Sequence, residues 1–238
     1  NNGVDPQEII DRYGADTARH FMMRAANPED MLMWSDAGVA GSYRFLRRLW
    51  EFAQKAAPAI RDAAAADWAS APAAVKAARR EVHATLNKAN YDIDRVQYNT
   101  VVSAGDILLN TLADVGTGDA HGRALVGEGM SILLRVLYPV VPHIGDVLWD
   151  ELGYAQRHGP ILDAAWPEVD AAALVQDEIE LVLQVNGKLR GRIVVPASAD
   201  AAAVEAAARA SAEVAKHAAG AAIRKVVVVP GRLVNVVV

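Results

Sequence analysis

Residues 166–196 read WPEVDAAALVQDEIELVLQVNGKLRGRIVVP, and the periodicity of the sequence changes within them. Before Trp166-Pro167, apolar residues recur mostly at the three- and four-residue spacing of amphipathic helices. Residues 178–195 instead alternate between apolar and polar side chains, which is typical of half-buried strands. The sequence therefore predicts a helical region before this stretch and a small region with a sheet from it onward.

The region before Trp166 predicts an antiparallel helix bundle. Asp5-Pro6 and Ser35-Asp36 are typical helix starts, because the side chain of the first residue can cap free backbone amides. The long helix after Ser35 places Leu46, Leu49, Trp50 and Ala53 at helical spacing. Short breakers separate the other predicted helices, which span about 15–26, 71–90, 94–113, 122–138 and 142–152.

The region after Trp166 predicts a small α+β domain with the order β-β-α-β-β. The hairpin of 178–195 is followed by an alanine-rich helical pattern at 200–218 and by valine-rich strands at 223–238. The chain as a whole is thus predicted to be mainly α. We expect four segments: a helical segment at 1–34, the bundle at 35–167, a linker at 168–176 and the α+β domain at 177–238.

The register of the first hairpin decides which face each basic residue occupies. A two-residue turn at Asn186-Gly187 would pair Leu183 with Arg190 and mix core and solvent on one face. A three-residue loop of 185–187 pairs Leu183 with Leu189 and aligns the apolar residues. We favour the second register, which places Lys188, Arg190 and Arg192 in a row on the outer face with Glu180 opposite Arg192.

Composition excludes several functional classes. The 238 residues include no cysteine, which removes disulfides, thiolate metal sites and cysteine nucleophiles. The net charge is −5, but residues 177–238 carry +2 and the rest −7, so anionic partners should prefer the C-terminal region. The longest apolar stretch, 131–141, contains Arg135 and is too short to span a membrane. The chain also lacks an initiator methionine, and we interpret it as the C-terminal piece of a longer cytoplasmic protein.

No catalytic or metal-binding pattern stands out. His143-Ile144-Gly145-Asp146 differs by one residue from a HIGH nucleotide-binding motif, but its flanks are helical, and we expect Pro142-His143 to cap a helix that buries Val147, Leu148 and Trp149. Asn186-Gly187-Lys188 lacks the other residues of a phosphate loop. Gly127-Glu128-Gly129 follows no strand, so it indicates a helix or loop. The prediction is that this chain has no catalytic residue, no metal site and no cofactor of its own.

Two basic clusters are candidates for nucleic-acid contacts. Arg44, Arg47 and Arg48 lie mostly off the apolar stripe of the long helix, where they either contact nucleic acid or form a solvated helix face. Lys188, Arg190 and Arg192 either contact phosphates or keep a strand face soluble. The residues alone leave both questions open.

Several segments resemble bacterial leucyl-tRNA synthetases of class I just after their KMSKS loop. The segments WSDAGV (34–39) with RFLRRLW (44–50), and QVNGKLRG (184–191), are the discriminating ones. YGADTAR (13–19), YPVVPH (138–143) with Leu148-Trp149, and Trp166-Pro167 are similar too, although the YGAD and PH…LW elements are shared with related class I synthetases. The resemblance also includes NNGVDP (1–6), so it covers almost the whole chain.

The resemblance implies a parent enzyme that activates leucine with ATP and magnesium and attaches it to tRNA-Leu. Its catalytic motifs and editing domain would precede Asn1, so this piece would bind tRNA without catalysis. The bundle would be of the class I anticodon-binding type, and the parent enzyme would be monomeric and cytoplasmic. The expected tRNA contacts are Arg44, Arg47, Arg48, Lys188, Arg190, Arg192, Arg224, Lys225 and Arg232. A stand-alone helical module that binds protein partners is the alternative.

Overall fold

The computed structural model describes residues 4–175, 178–218 and 221–238, and the chain divides into two compact units at Leu174/Val175. The first unit is helical. Besides a short 3-10 helix at Trp68–Ser70, it contains α1 (Pro6–Tyr13), α2 (Ala15–Ala25), α3 (Asp36–Arg61), α4 (Ala73–Asp94), α5 (Tyr98–Ala113), α6 (Ala120–Leu137), α7 (Pro142–Glu151), α8 (Ala155–His158) and α9 (Ala171–Leu174).

Local capping explains where the principal helices begin. The Asp5 carboxylate accepts a hydrogen bond from the Gln7 amide at 2.9 Å, so α1 starts at Pro6. The Ser35 hydroxyl accepts one from the Gly38 amide at 3.1 Å and fixes the start of α3. Each cap satisfies an amide that has no partner inside its helix. The predicted starts at Asp5-Pro6 and Ser35-Asp36 therefore agree with the structure.

The core of the first unit lies among α3, α4, α5 and α6. Leu49, Leu86, Leu108 and Leu133 are completely buried there, and each contributes on the order of 2 kcal/mol by leaving water. Helices α5 and α6 approach closely at Gly129, where an added Cβ would lie 2.4 Å from a methyl group of Leu112. Only glycine permits this approach, so Gly129 sets the spacing of the two helices.

Helix α4 extends further than the sequence predicted. We expected a break at Asn90-Tyr91-Asp92, but the helix continues to Asp94, because Asp92 is buried and accepts a hydrogen bond from Lys88 one turn earlier. The chain then turns through Val96, which has a φ of 60°. This is an unusual conformation for a β-branched residue. It lets the Gln97 amide bond to the Asp92 carbonyl at 2.9 Å and end the helix.

The first unit also ends later than predicted. Residues 168–174, which we expected in the linker, belong to this unit, because Val169 packs against its core and Ala173 is buried. Trp166 donates a hydrogen bond from its indole nitrogen to the Asn90 side chain at 2.8 Å. The division of the chain therefore falls eight residues after Trp166.

The second unit is a four-stranded sheet with helices on one face. Its elements are β1 (Glu178–Val185), β2 (Lys188–Pro196), α10 (Ala201–Ala210), α11 (Ala212–Ala218), β3 (Lys225–Val229) and β4 (Leu233–Val237), and the strand order is β2-β1-β4-β3. Strands β1 and β4 are parallel, and the other neighbours are antiparallel. Buried Val204 and Val214 of the helices pack against the inner face of the sheet. The predicted helix at 200–218 is split at Ser211.

The favoured hairpin register is wrong. Asn186 and Gly187 have φ angles of 51° and 75° and form a two-residue turn, so Val185 pairs with Lys188 and Gln184 with Leu189. Arg190 then has no partner on β1, since Leu183 pairs with Gly191. This bulge adds one residue to β2 and brings Leu181 opposite Ile193. The bulge reconciles the two-residue turn with the apolar alternation, so Leu183 does not face Arg190.

The prediction of a mainly helical chain with a small sheet is confirmed. Within the described ranges, no helix has the length and apolar character that crossing a membrane requires.

Candidate nucleic-acid interface

Three of the predicted contact residues share one exposed side of α3. Helical periodicity places Arg44, Arg47 and Arg48 within an arc of about 100°, on the side opposite the buried Phe45 and Leu49. The same 3.6-residue repeat that buries the apolar stripe thus concentrates three guanidinium groups in solvent. We call these three side chains the arginine face.

The arginine face is only partly neutralised. Arg47 forms an ion pair of 3.0 Å with Glu51 one turn later, and Arg48 donates to the side-chain oxygen of Asn110 at 2.5 Å. Arg44 has no ion-pair or hydrogen-bond partner among the residues that the structure describes. Exposed ion pairs contribute little and exchange readily, so all three guanidinium groups can turn to an external anion.

An open apolar groove of 690 Å³ adjoins the arginine face. Arg47 and Glu51 line the groove, together with the half-exposed aromatic rings of Tyr43 and Trp50. The facing wall comes from the start of α2 and from α7, including Val147. Val147 is 45% exposed, whereas the sequence analysis expected it to be buried.

His143 has a structural contact in this region. Its Nδ1 lies 2.7 Å from the Asp16 carboxylate, whose other oxygen accepts a hydrogen bond from the Ile144 amide at 2.8 Å. Arg19 of α2 also donates to the carbonyl oxygens of Pro139 and Val140 at 2.9 Å each. The HIGH-like residues therefore begin a helix, as expected, but the cap comes from Asp16 of α2 rather than from Pro142-His143.

The basic residues of β2 do not form the predicted single row. Residues that pair directly across a sheet share a face, so Lys188 lies on the same face as the buried Val185. Arg192 pairs with Val182 and lies on the outer face, since the Gly191 side of the strand packs against Glu213 of α11. Arg190 is exposed at the bulge, between Leu189 and Gly191. Leu189, which the favoured register placed inside, is 66% exposed.

Arg192 pairs with Glu180, although not directly across the strands. Val182 is opposite Arg192, and Glu180 reaches it diagonally with an N–O distance of 2.8 Å. The prediction that Glu180 lies opposite Arg192 is therefore wrong, but the ion pair forms. Both side chains are more than half exposed, so this pair does not prevent Arg192 from contacting another anion.

The three other predicted contacts lie at the far side of the sheet. Lys225 pairs with Val237 and is on the outer face of the edge strand β3, separated from β2 by two strands. Arg224 precedes β3, and Arg232 lies in the turn before β4; both side chains are exposed. The outer face thus carries Arg192 and Lys225, but at opposite edges.

Sequence reasoning missed a charged network inside the first unit. Arg79 is 6% exposed and donates two hydrogen bonds of 2.8 Å to Glu128 and one of 2.7 Å to Asp170. His83 Nδ1 accepts from the Asp170 amide at 3.1 Å, so its Nε2 can donate to Glu128, also at 3.1 Å. The Trp68 ring lies 4.3 Å from the Arg79 guanidinium.

The hydrogen bonds of this network stabilise the charged forms of Arg79 and Glu128 although both side chains are largely buried. Burial alone would lower the pKa of Arg79, but its bonds to Glu128 and Asp170 outweigh burial and raise the pKa. Burial likewise opposes ionisation of Glu128, and the bonds from Arg79 and His83 still hold its pKa below the usual value. Arg79, Glu128 and Asp170 therefore remain charged, as the pairing requires. Arg79 and Glu128 lie 49 positions apart, so no local sequence pattern could have indicated the pairing.

Among the described residues, no group of three or more histidine, aspartate and glutamate side chains could hold a metal ion. The predicted contact residues of α3 are exposed cations on one helix.

More than half of the chain matches a known protein family. Residues 76–206, from α4 to α10, match the family described as the anticodon-binding domain of tRNA ligase. The chain belongs to this family. The matched segment includes the Arg79 network and the β1–β2 hairpin, so both units contribute to it.

The chain is also similar over its whole length to curated leucine–tRNA ligases. It is 63% identical over 238 residues to the enzyme of Cupriavidus metallidurans and 60% identical over 239 residues to that of Leptothrix cholodnii. It spans 26% and 27% of those proteins, about a quarter of their length. The resemblance to leucyl-tRNA synthetases is therefore confirmed.

A solved structure shows the same fold. The chain matches a crystal structure of a LeuRS–tRNA–LeuAMS ternary complex from Agrobacterium radiobacter with a TM-score of 0.77 and 21% identity. The match covers 98% of this chain and 29% of the other. At this identity the comparison supports the fold alone.

Proposed function

We propose that this chain is the tRNA-binding C-terminal portion of a leucine–tRNA ligase. In this proposal its helices form the antiparallel bundle of the class I anticodon-binding type, and the β-β-α-β-β unit supplies a second set of RNA contacts. The parent enzyme would use ATP and magnesium to attach leucine to tRNA-Leu as a cytoplasmic monomer. The chain itself would supply binding and no catalysis.

The observation that carries this proposal is the arginine face of α3. It presents three cations on one helix in a chain that is similar throughout to leucine–tRNA ligases. Phosphate contacts from such a face would position a tRNA without reading its bases. The alternative, a stand-alone module that binds proteins, has no comparable support, although the apolar groove beside Trp50 could serve it.

The test measures tRNA-Leu binding by the 238-residue chain and by Arg44→Gln across a salt series. Loss of one phosphate contact should weaken binding and make the log–log salt dependence shallower by about 0.7 to 0.9. Arg209→Gln is the control, because this exposed arginine is not a predicted RNA contact. The proposal fails if the chain does not bind tRNA, or if Arg44→Gln and Arg209→Gln behave alike.

A second measurement addresses catalysis. The chain, purified free of host synthetase, should show no leucine-dependent pyrophosphate exchange. Exchange that exceeds a mock purification would contradict the assignment of all chemistry to the rest of the enzyme. An upstream reading frame that continues into a KMSKS motif would separate the ligase from the stand-alone module.

A further inference from the structure

A polar cleft of 320 Å³ lies on the first unit, and none of the predicted RNA contacts lines it. Its walls come from α6, from the α7–α8 segment and from residues 63–65 and 167–168. Arg135, Arg157 and His158 line it, together with His83, which is bonded to Glu128. None of them was a candidate in the sequence analysis.

Arg135 is the unusual group in this cleft. Its guanidinium is half-buried and is held by neutral acceptors: the Ala165 carbonyl at 2.8 Å, the Ser131 carbonyl at 3.1 Å and the Ser131 hydroxyl at 3.2 Å. No carboxylate of the described residues forms an ion pair with it. A desolvated charge without a counter-ion is unfavourable, and burial lowers the pKa of Arg135 accordingly.

Two further groups reinforce the positive potential. Within the described residues, the Arg157 side chain forms one hydrogen bond, a long one of 3.4 Å to the Ile60 carbonyl, and lies 5.8 Å from the centre of the Tyr154 ring. Most of its donors are therefore available. Burial, and then the charges of Arg135 and Arg157, lower the pKa of His158, so both guanidinium groups act on the same ring. A neutral imidazole there can still donate a hydrogen bond.

The acidic residues of the cleft do not cancel this charge. Glu128 is already bound by Arg79 and His83, and its carboxylate faces that network. Glu168 is exposed at the margin and forms no ion pair within the described part of the chain. The cleft therefore contains two arginines and one carboxylate that is not already paired, Glu168, and the arginines exceed the carboxylate by one positive charge.

We propose that this cleft binds a phosphate-type oxyanion, with Arg135 and Arg157 as its charged contacts. The Arg135 guanidinium is preoriented by Ser131 and Ala165, so binding would not require it to be ordered, and the anion would supply the missing counter-charge. The oxyanion belongs either to free phosphate or to an RNA backbone, which have the same charge and geometry. This site is independent of the proposed contacts of the arginine face.

The test is a titration of the 238-residue chain with inorganic phosphate at constant ionic strength, followed by amide NMR shifts. We expect saturable shifts at Ser131, Arg157 and Ala165, with half-saturation in the millimolar range. Arg157→Gln should weaken binding about tenfold, as expected for loss of a charge-assisted hydrogen bond. Glu168→Gln should tighten it, because a negative charge leaves the margin of the cleft.

Arg95→Gln serves as the matched control, because Arg95 is an exposed arginine of the same unit that stacks on Tyr91. Phosphate shifts that do not saturate, or that Arg95→Gln reduces as much as Arg157→Gln does, would overturn the proposal. Addition of tRNA-Leu then distinguishes the sources. Displacement of phosphate identifies an RNA phosphate as the ligand, and undisturbed phosphate binding identifies the free anion.

Discussion

Arg79 and Asp170 lie 91 positions apart in the chain, and their side chains meet at 2.7 Å. Asp170 also accepts a hydrogen bond from the Ala172 amide at 2.9 Å, so the pair holds the start of α9 against α4. The end of the first unit is thus fixed by an ion pair to a buried guanidinium. The domain boundary that the sequence predicted at Trp166-Pro167 leaves Asp170, and therefore this contact, outside the first unit.

We predict that Asp170→Asn loosens the end of the first unit. The substitution removes the charge but leaves Arg79 bound to Glu128, so the loss of stability should be about 1 kcal/mol. Residues 168–174 should resist limited proteolysis in the unsubstituted 238-residue chain and become susceptible in the variant, as measured by mass spectrometry of the fragments. Asp163→Asn, at an exposed carboxylate, should not change the pattern. Cleavage of residues 168–174 to the same extent in the unsubstituted chain and in Asp170→Asn would contradict the prediction.

We predict that His20 makes the first unit sensitive to acid. The ring is completely buried and stacks on Phe45 at 4.9 Å, and neither nitrogen has a hydrogen-bond partner among the described residues. Burial, followed by the charge of Arg24, lowers the pKa of His20 from 6.5 to about 4. The folded state therefore binds this proton less readily than the unfolded state does.

The sign of the pH dependence follows from that difference. Stability from neutral His20 is complete above pH 6.5 and is lost as pH falls through about 4. The loss is on the order of 3 kcal/mol at pH 4. His20→Leu should flatten the curve of unfolding free energy against pH between these values, as measured by urea denaturation. An unaltered slope in His20→Leu would show that other groups cause acid sensitivity.

We predict different effects for two cations of β2. Arg192 is on the outer face of the sheet opposite Val182, and Lys188 shares the face of Val185. If the outer face contacts RNA, Arg192→Gln should reduce tRNA-Leu affinity and make the salt slope shallower by about 0.7 to 0.9, and Lys188→Gln should have a smaller effect. Both variants should have the same melting temperature as the unsubstituted chain. Equal losses of affinity would indicate that the contact lies at the hairpin tip rather than on the outer face.

We predict that Val96→Gly stabilises the chain. Val96 has a φ of 60° in the turn between α4 and α5, a conformation that costs a β-branched residue about 1–2 kcal/mol. Glycine adopts it without this strain but loses more entropy on folding, so the net gain should be about 0.5–1 kcal/mol. Urea denaturation should show a higher midpoint with an unchanged slope. Val147→Gly, at an exposed position inside α7, should lower the midpoint instead.

The sequence by itself determined the features that depend on neighbouring residues. Asp5 and Ser35 marked helix starts, because a cap and the amide that it satisfies lie within three positions of each other. The apolar stripe of α3 likewise predicted that Arg44, Arg47 and Arg48 would be exposed on one side, since helical periodicity fixes both faces. The motifs of 34–50 and 184–191 indicated the family.

The tertiary structure alone decided the features that depend on distant partners. Asp16 supplies the cap of α7 from 128 positions away, and Arg79 joins Glu128 and Asp170. The bulge at Arg190 follows from the need to keep Leu181 and Ile193 on one buried face while Asn186-Gly187 makes a tight turn. Local propensity cannot set such contacts, because their free energy arises only when packing removes both partners from water.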